Sequence, residues 1–279
     1  MACCPTWSST ELDVRKTYKL FVNGEFVRSE SGRAYRPDGK VNVPRGSRKD
    51  LRDAVRASRT AFPGWAGRTA MNRGQILYRA AEMLDGRAAQ FVQLLGGGAR
   101  ARRELDQAVE TLVWYAGWTD KLSQVTGTVN PVAGPYFNFT IPEPTGVVAI
   151  IAPEEAPLSG LVRRLAPALC GGNVVVALAA ESQPLAALTL AEVLATSDVP
   201  AGVVNIISSQ RKELLPWLAS HMDINAIDTA GCSADEIKAI EESAAGNVKR
   251  VIKVTSDEQS PYLVAAFMEM KTVWHPIGV

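Results

Sequence analysis

Histidine and cysteine are scarce in this sequence, which has two His and four Cys in 279 residues. Cys3 and Cys4 are adjacent and the other two cysteines stand alone, so no spacing typical of a zinc site or a disulfide framework occurs. We therefore expect no metal. The 30 basic and 29 acidic residues leave a net charge of +1. This balance gives no electrostatic support for binding nucleic acid or an anionic membrane.

Long apolar runs are also missing. A helix that crosses a bilayer needs about 20 consecutive apolar residues, and no run approaches that length. The first residues, MACCPTWSSTELDVRK, lack the apolar core of a signal peptide. The expectation is a cytoplasmic protein. The composition, 47% apolar and 21% charged, is that of a globular chain with a substantial core.

The first half of the chain contains a hairpin signal followed by helical patterns. Asn23-Gly24 between two short apolar runs predicts a hairpin over Tyr18–Arg28. Apolar residues then recur at helical spacing, and Pro63-Gly64 is predicted to end that helix. The glycine-rich and basic segment Leu95–Glu104 has two interpretations, a phosphate-binding loop or a solvated turn between helices. The turn is favoured.

From Thr145 onward, strand patterns alternate with helical patterns. Five β-rich runs separated by helices predict an α/β fold with a Rossmann-like, doubly wound parallel sheet of about five strands. Ligands of such sheets bind at the carboxyl ends of the strands. The segments expected around one crevice are Ala152–Glu155, Leu178–Glu181 and Ser208-Ser209. No G-x-G-x-x-G motif is present, so this is not the ordinary dinucleotide site.

Six segments resemble the aldehyde dehydrogenase superfamily in their order and spacing: LFVNGEF, AFPGWA, YAGWTDK, PYFNFTIPEPTGVVAII, RLAPALCGGNVVV and PAGVVNII. The resemblance covers nearly the whole chain. It implies a cofactor domain, a catalytic domain with a nucleophilic cysteine, and projecting oligomerisation strands. It also implies aldehyde oxidation with NAD or NADP, and cofactor contacts from Ile151, Ala152, Pro153 and Glu181.

The resemblance divides the chain into two parts. Residues 1–265 are expected to form the cofactor-type α/β domain, with an oligomerisation strand within 127–142. Residues 266–279 are expected to form a second, C-terminal oligomerisation strand.

The chain departs from the family pattern where the reaction takes place. The family asparagine that stabilises the oxyanion is replaced by Glu155, and a carboxylate there repels an oxyanion. Leu178 stands where the family has a lysine that meets the cofactor ribose. The place of the general-base glutamate falls at about Val254, and Glu258 is nearby but out of register. We therefore expect no catalytic residue and weak binding of NAD or NADP, with Glu154 and Glu155 adding repulsion.

The segment that should carry the catalytic cysteine is also absent from its expected place. After SPYLVAAF the sequence passes directly to FMEMKTVWHPIGV, which resembles the C-terminal strand of the family through Lys271–Val273. We expect the catalytic domain to be missing while the sequences on both sides of it are kept. Alternation along the tail predicts a mainly apolar face carrying Met268, Met270, Thr272 and Trp274.

Other candidate groups have simpler interpretations. His221 follows a helix and is expected to be a surface or capping residue, and His275 to pack in an interface. Cys170 is expected to be a small apolar residue of a helix. The Glu154-Glu155 pair has two interpretations, acid–base work through a raised pKa or a solvated loop. The solvated loop is favoured.

Three functional hypotheses follow. The first is a catalytically deficient scaffold or regulatory subunit of a full-length aldehyde dehydrogenase, inactive alone. The second is a module that senses NAD(P) without turnover. The third is an enzyme whose active site is completed by a partner. The expected partner is a full-length aldehyde dehydrogenase in a hetero-oligomer, or a second copy of the chain in a homo-oligomer.

Overall fold

The computed structural model describes residues 16–253 and 258–278. The pair Cys3-Cys4 and the position Val254 lie outside the described residues. The helices are α1 Arg48–Ala66, α2 Ala70–Asp85, α3 Ala88–Leu94, α4 Gly98–Ala116, α5 Leu122–Thr126, α6 Ser159–Cys170, α7 Pro184–Ala195, α8 Arg211–Ser220, α9 Ala234–Ala244 and α10 Pro261–Ala266. The strands are β1 Leu20–Val22, β2 Glu25–Val27, β3 Ala34–Tyr35, β4 Val43–Pro44, β5 Thr128–Asn130, β6 Tyr136–Pro144, β7 Val147–Ile151, β8 Val174–Leu178, β9 Val204–Ile207, β10 Ala226–Asp228, β11 Arg250–Ile252 and β12 Met268–Pro276.

The central sheet has the strand order β11-β10-β7-β8-β9-β1-β2. Strands β7 to β11 pair in parallel, as the alternation of strands and helices predicted. β7 and β8 are buried along their whole length because helices cover both faces. The parallel part of the sheet begins with β7. From there the chain passes outward through β8 and β9 and then crosses back to β10, on the other side of β7. This reversal between β7 and β10 is the switch point where such sheets bind ligands.

The predicted hairpin is confirmed, and it extends the central sheet. β1 and β2 are joined by Asn23 and Gly24, whose φ values of 54° and 77° match the tight turn that favours these residues. β1 pairs antiparallel with β9 through Phe21 opposite Ile206. The sheet therefore carries an antiparallel edge that sequence periodicity did not reveal.

The predicted end of α1 at Pro63-Gly64 is wrong, because the helix continues to Ala66. The side chain of Trp65 is buried in the core and holds the last turn against it. Gly67 closes the helix by donating its N–H to the carbonyl oxygen of Pro63. The turn predicted within Leu95–Glu104 is found between α3 and α4, where Gly96, Gly97 and Gly98, the first residue of α4, are exposed and have positive φ.

A second, projecting sheet has the order β12-β6-β5. β12 pairs antiparallel with β6 along its full length, from Met268 opposite Pro144 to Pro276 opposite Tyr136. The tail and the PYFNFTIPEP segment, which were expected to supply the two oligomerisation strands, therefore pair with each other. A single residue, Phe267, separates the end of α10 from the start of β12.

The register places apolar side chains on both faces of this sheet. The face predicted from the tail carries the exposed side chains of Met270 and Trp274, as expected. The same face also carries a polar cluster, formed by Asn130, Asn138, Thr140 and Thr272 and joined by hydrogen bonds. On the opposite face Val129, Phe139 and Val273 lie side by side, next to Phe137 and Ile141. This second apolar face depends on β5 and β6, and the tail by itself could not show it.

Among the residues described, no helix combines the length and apolar character that crossing a membrane requires.

The amide of Asn173 fixes the place where the projecting sheet leaves the core. Its Oδ1 accepts the N–H of Gly146 at 2.9 Å, just before β7. Its Nδ2 donates to the carbonyl oxygens of Ala168 at 3.2 Å and Phe267 at 3.0 Å. This buried side chain therefore joins α6, the start of β7 and the start of β12.

We expect Asn173→Ala to lower the free energy of unfolding by about 2–4 kcal/mol, because buried donors and acceptors lose their partners. Urea unfolding followed by circular dichroism measures the change. Asn72→Ala is the control, because Asn72 is a partly exposed residue whose side chain accepts one hydrogen bond, from Arg68. Equal losses in the two variants would show that Asn173 does not hold this junction.

Candidate functional site

The predicted cofactor residues meet at the carboxyl edge of β7 and β8. Ile151 is the last residue of β7 and is buried. Ala152 donates its N–H to the carbonyl oxygen of Leu178 at 2.9 Å, so the loops after both strands start side by side. Pro153 lies in the first loop and Glu181 in the second. These positions agree with a site at the strand ends, and their role in holding a cofactor stays a prediction.

The loops enclose a crevice of about 730 Å³ beside the switch point. Its walls include Tyr35, Arg36, Glu154, Glu181, Arg211 and Glu236. Ser208 and Ser209, predicted to line it, are fully buried elsewhere. Their hydroxyls donate to the carbonyl oxygens of Pro44 and Gly46, because the N-terminal segment packs over the end of β9. That part of the prediction is wrong.

The prediction of a solvated Glu154-Glu155 loop is wrong for Glu154 and right for Glu155, which is exposed. Glu154 Oε1 accepts the N–H of Glu181 at 2.9 Å. Its Oε2 accepts the N–H and the hydroxyl of Ser182 at 3.0 and 2.6 Å. Burial opposes ionisation, but these hydrogen bonds and the charge of Arg211 together lower the pKa of Glu154. The carboxylate is therefore ionised at neutral pH.

Arg211, the first residue of α8, extends its side chain across the switch point. Its Nη2 donates to Glu154 Oε1 at 2.9 Å and to the carbonyl oxygen of Ala152 at 3.0 Å. Its Nη1 donates to the carbonyl oxygen of Gly231 at 2.6 Å and approaches Glu236 Oε2 at 3.5 Å. The guanidinium thus joins the loop after β7 to the loop after β10. Sequence reasoning missed this residue, although a basic residue shortly after a buried strand was a usable signal.

The two described cysteines are poor nucleophiles. Burial raises the pKa of Cys170, in α6, to about 12. Burial, followed by the charge of Glu236, raises the pKa of Cys232 to about 12 as well. Both side chains are therefore thiols at neutral pH, and the thiolate is the reactive form.

The contacts described for the two histidines are with residues other than the cysteines. His221 occupies the C-cap position of α8, as expected, and its Nδ1 accepts the N–H of Asp223 at 3.2 Å in the turn that follows. His275 is an exposed residue of β12 opposite Phe137. Within residues 16–253 and 258–278, no group of three or more His, Cys, Asp or Glu side chains is placed to hold a metal ion.

Comparison with known proteins identifies the family. The model of the aldehyde dehydrogenase family matches residues 35–273. The chain belongs to the aldehyde dehydrogenase family. Retinal dehydrogenase 2 of Gallus gallus is 36% identical over 256 residues, which are 86% of this chain and 48% of that protein. Aldehyde dehydrogenase, cytosolic 1, of Elephantulus edwardii is 33% identical over 258 residues, or 87% of this chain and 50% of that protein.

Solved structures of the aldehyde dehydrogenase family agree with this assignment. The NAD+ complex of aldehyde dehydrogenase from Bacillus cereus superposes with a TM-score of 0.78 at 30% identity. The match covers 85% of this chain and 50% of that chain. The chain therefore spans about half the length of the relatives it matches.

The residues of this crevice do not fit the phosphates of the NAD(P) that the family implies. The N–H groups at the starts of helices are the usual donors to such phosphates. Here Glu154 takes the N–H groups of Glu181 and Ser182, just before α7. Glu181 in turn accepts the N–H of Arg211 at 2.8 Å, at the start of α8. Glutamates of this chain therefore occupy the donors of both loops.

Two neighbouring helices begin in the same way. Glu104 of α4 accepts the N–H groups of Leu158 and Ser159 at 3.0 and 3.4 Å, at the start of α6. Glu236 accepts the N–H of Ser233 at 2.8 Å, at the start of α9. Carboxylates stabilise helix starts for the same electrostatic reason that phosphates do. The edge of the sheet is thus supplied with negative charge by the protein itself.

A buried charged pair lies beneath the crevice and was missed by sequence reasoning. Asp228, the last residue of β10, is fully buried, and its Oδ1 lies 3.8 Å from Nε of Arg164 on α6. Burial raises the pKa of Asp228 to about 6, although Arg164 and the N–H of Ala230 act in the opposite direction. Charged residues inside the apolar runs INAID and LVRRL were the available signal.

The raised pKa of Asp228 makes stability depend on pH. The folded chain holds the Asp228 proton more tightly than the unfolded chain, so this contribution is complete below about pH 4 and is lost as the pH rises through about 6. We expect a loss of roughly 3 kcal/mol in the free energy of unfolding over this interval. Asp228→Asn should remove it. Urea unfolding at a series of pH values measures both proteins, and superimposable profiles would contradict the assignment to Asp228.

Proposed function

We propose that this aldehyde dehydrogenase relative is catalytically inactive alone and acts as a scaffold or regulatory subunit of a full-length aldehyde dehydrogenase. The observation that carries the proposal is the projecting sheet β12-β6-β5. It presents exposed apolar side chains, including Val129, Phe137, Ile141, Met270 and Trp274. Large exposed apolar groups gathered on one element are typical of an interaction surface.

The junction between α10 and β12 supports the absence of activity. The family resemblance implies that the catalytic domain lies between these elements, and here only Phe267 separates them. Cys170 and Cys232 are thiols in other parts of the fold. Glu155 stands at the oxyanion position. Among residues 16–253 and 258–278, no thiolate is combined with an oxyanion donor for attack on an aldehyde.

The free edges of the projecting sheet suggest how a partner attaches. β12 and β5 are the outer strands, so each has one side without a neighbouring strand in the described structure. A partner strand can add to such an edge through main-chain hydrogen bonds, while side chains on both faces set the register. A full-length homologue can supply that strand from its catalytic domain. A homo-oligomer of this chain is the alternative assembly.

Weak cofactor binding is part of the same proposal. Leu178 is buried and supplies no charge where the family has a lysine. Glu181 remains, but its carboxylate is already engaged at the start of α8. The cytoplasm is the proposed location, which the cytosolic relative named above supports. Tight NAD(P) binding would favour the sensor hypothesis, and activity restored by a homologue would favour an active site completed by a partner.

We expect the purified chain to oxidise no aldehyde, because its two described cysteines are thiols and Glu155 stands where the family resemblance implies an oxyanion donor. Incubation with NAD or NADP and a panel of aldehydes, followed at the absorbance of the reduced cofactor, measures this. Cys232→Ser is the matched control, since Cys232 lies in the loop after β10. Turnover that disappears in this variant would refute the proposal of inactivity.

We expect the chain to co-elute with a full-length aldehyde dehydrogenase from the same cell in size-exclusion chromatography, and a chain ending at Ala266 to elute separately. The exposed side chains Ile141 and Val273 allow a milder test. The double variant Ile141→Asp with Val273→Asp places charge on the face of the sheet that carries Val129, without removing β12. This double variant should lower the affinity for the full-length protein by about tenfold or more, and so reduce the fraction that co-elutes.

Met222→Asp is the control, because Met222 is exposed after α8, outside the projecting sheet. Equal co-elution of all variants, or of none including the unaltered chain, would show that the sheet is not the docking element.

A further inference from the structure

The environment of the Glu154 carboxylate resembles the environment of a bound phosphate. Its two oxygens receive two adjacent backbone N–H groups, one hydroxyl and one guanidinium. Backbone N–H groups before a helix, together with an arginine, are the donor set that binds phosphate in proteins. In this chain the anion that satisfies them belongs to the protein.

We propose that the Glu154 carboxylate is an internal ligand of the crevice, and that removing it opens this position to a pyrophosphate-bearing ligand such as a dinucleotide. The inference rests on the proposal that the crevice no longer supports turnover, and it adds the reason why the site is closed. It assigns Glu154 the role of occupant, whereas Glu155 is only a solvated neighbour.

Tethering explains why the internal ligand prevails over a free one. A carboxylate held by its own backbone gives up no translational freedom when it binds, whereas a free dinucleotide does. Glu154 is also only partly shielded, with 33% of its side chain exposed. The position it occupies therefore borders solvent and could be reached by an external anion once the carboxylate is removed.

We expect the Arg211 side chain to remain in place when Glu154 is removed. Arg211 keeps its hydrogen bonds to the carbonyl oxygens of Ala152 and Gly231, which belong to two different loops. Its side chain is only 14% exposed, so these contacts fix its position. In Glu154→Ala the guanidinium therefore stays at the switch point with one anionic partner fewer. The N–H groups of Glu181 and Ser182 become available beside it.

The matched pair Glu154→Ala and Glu155→Ala separates a specific site from a general change in charge. The two residues are adjacent, carry the same charge and lie in the same loop, but only the side chain of Glu154 engages the donors. Isothermal titration calorimetry with NAD+ and with inorganic pyrophosphate measures affinity. We expect Glu154→Ala to bind both at least about tenfold more tightly than the unaltered chain, and Glu155→Ala to bind within about twofold of it.

Two further measurements make the result independent of any activity. Pyrophosphate should raise the thermal midpoint of Glu154→Ala and leave that of the unaltered chain unchanged, because a ligand stabilises only the state it binds. Adding Arg211→Ala to Glu154→Ala should abolish the gain. If Glu154→Ala does not fold, Glu154→Gln removes the charge at equal size and should still give about a threefold gain.

Equal gains in Glu154→Ala and Glu155→Ala would overturn the proposal, as would a folded Glu154→Ala with no gain. A gain that persists without Arg211 would also contradict it. Co-elution with a full-length aldehyde dehydrogenase does not involve this crevice, so Glu154→Ala should retain it. Loss of co-elution in the projecting-sheet variants and gain of anion binding in Glu154→Ala are therefore independent results.

Discussion

The side chain of Arg211 holds the contacts on which the arrangement of the crevice depends. A guanidinium that is largely buried is unfavourable unless its donors and its charge are matched. Arg211 meets this requirement with two carboxylates and two carbonyl oxygens drawn from the loops after β7 and β10 and from α9. Since these loops flank the point where the strand order reverses, one side chain holds together the region that a ligand would otherwise hold.

The same principle explains the glutamates around the crevice. Each helix that starts at this edge exposes N–H groups that need acceptors, and the dipole favours a negative one. Glu104, Glu181 and Glu236 supply acceptors at α6, α8 and α9. In the crevice the backbone N–H donors therefore have acceptors from the protein itself. The outer strands of the projecting sheet, by contrast, each have one edge without a partner strand in the described structure. This contrast directs the proposed function away from catalysis and toward assembly.

Much of the fold could be predicted from the sequence because it depends on local patterns. The parallel strands are nearly continuous apolar runs, and Asn23-Gly24 specifies a hairpin by backbone conformation alone. Local rules failed where tertiary packing overrode them. Pro63 did not end α1 because burial of Trp65 outweighed the missing N–H. The second apolar face of the projecting sheet was missed because the residues of β5, β6 and β12 that form it are distant in sequence.

The sequence by itself determined the family, the order of strands and helices, and the direct passage from α10 to β12, since all of these are written in consecutive residues. Only the tertiary structure decided what Glu154 does. Its partners Ser182 and Arg211 are 28 and 57 positions away along the chain, and the parallel order of the strands brings them to one edge. The sequence shows a glutamate in either case, and only the fold decides whether its carboxylate faces water or accepts hydrogen bonds from the loop before α7.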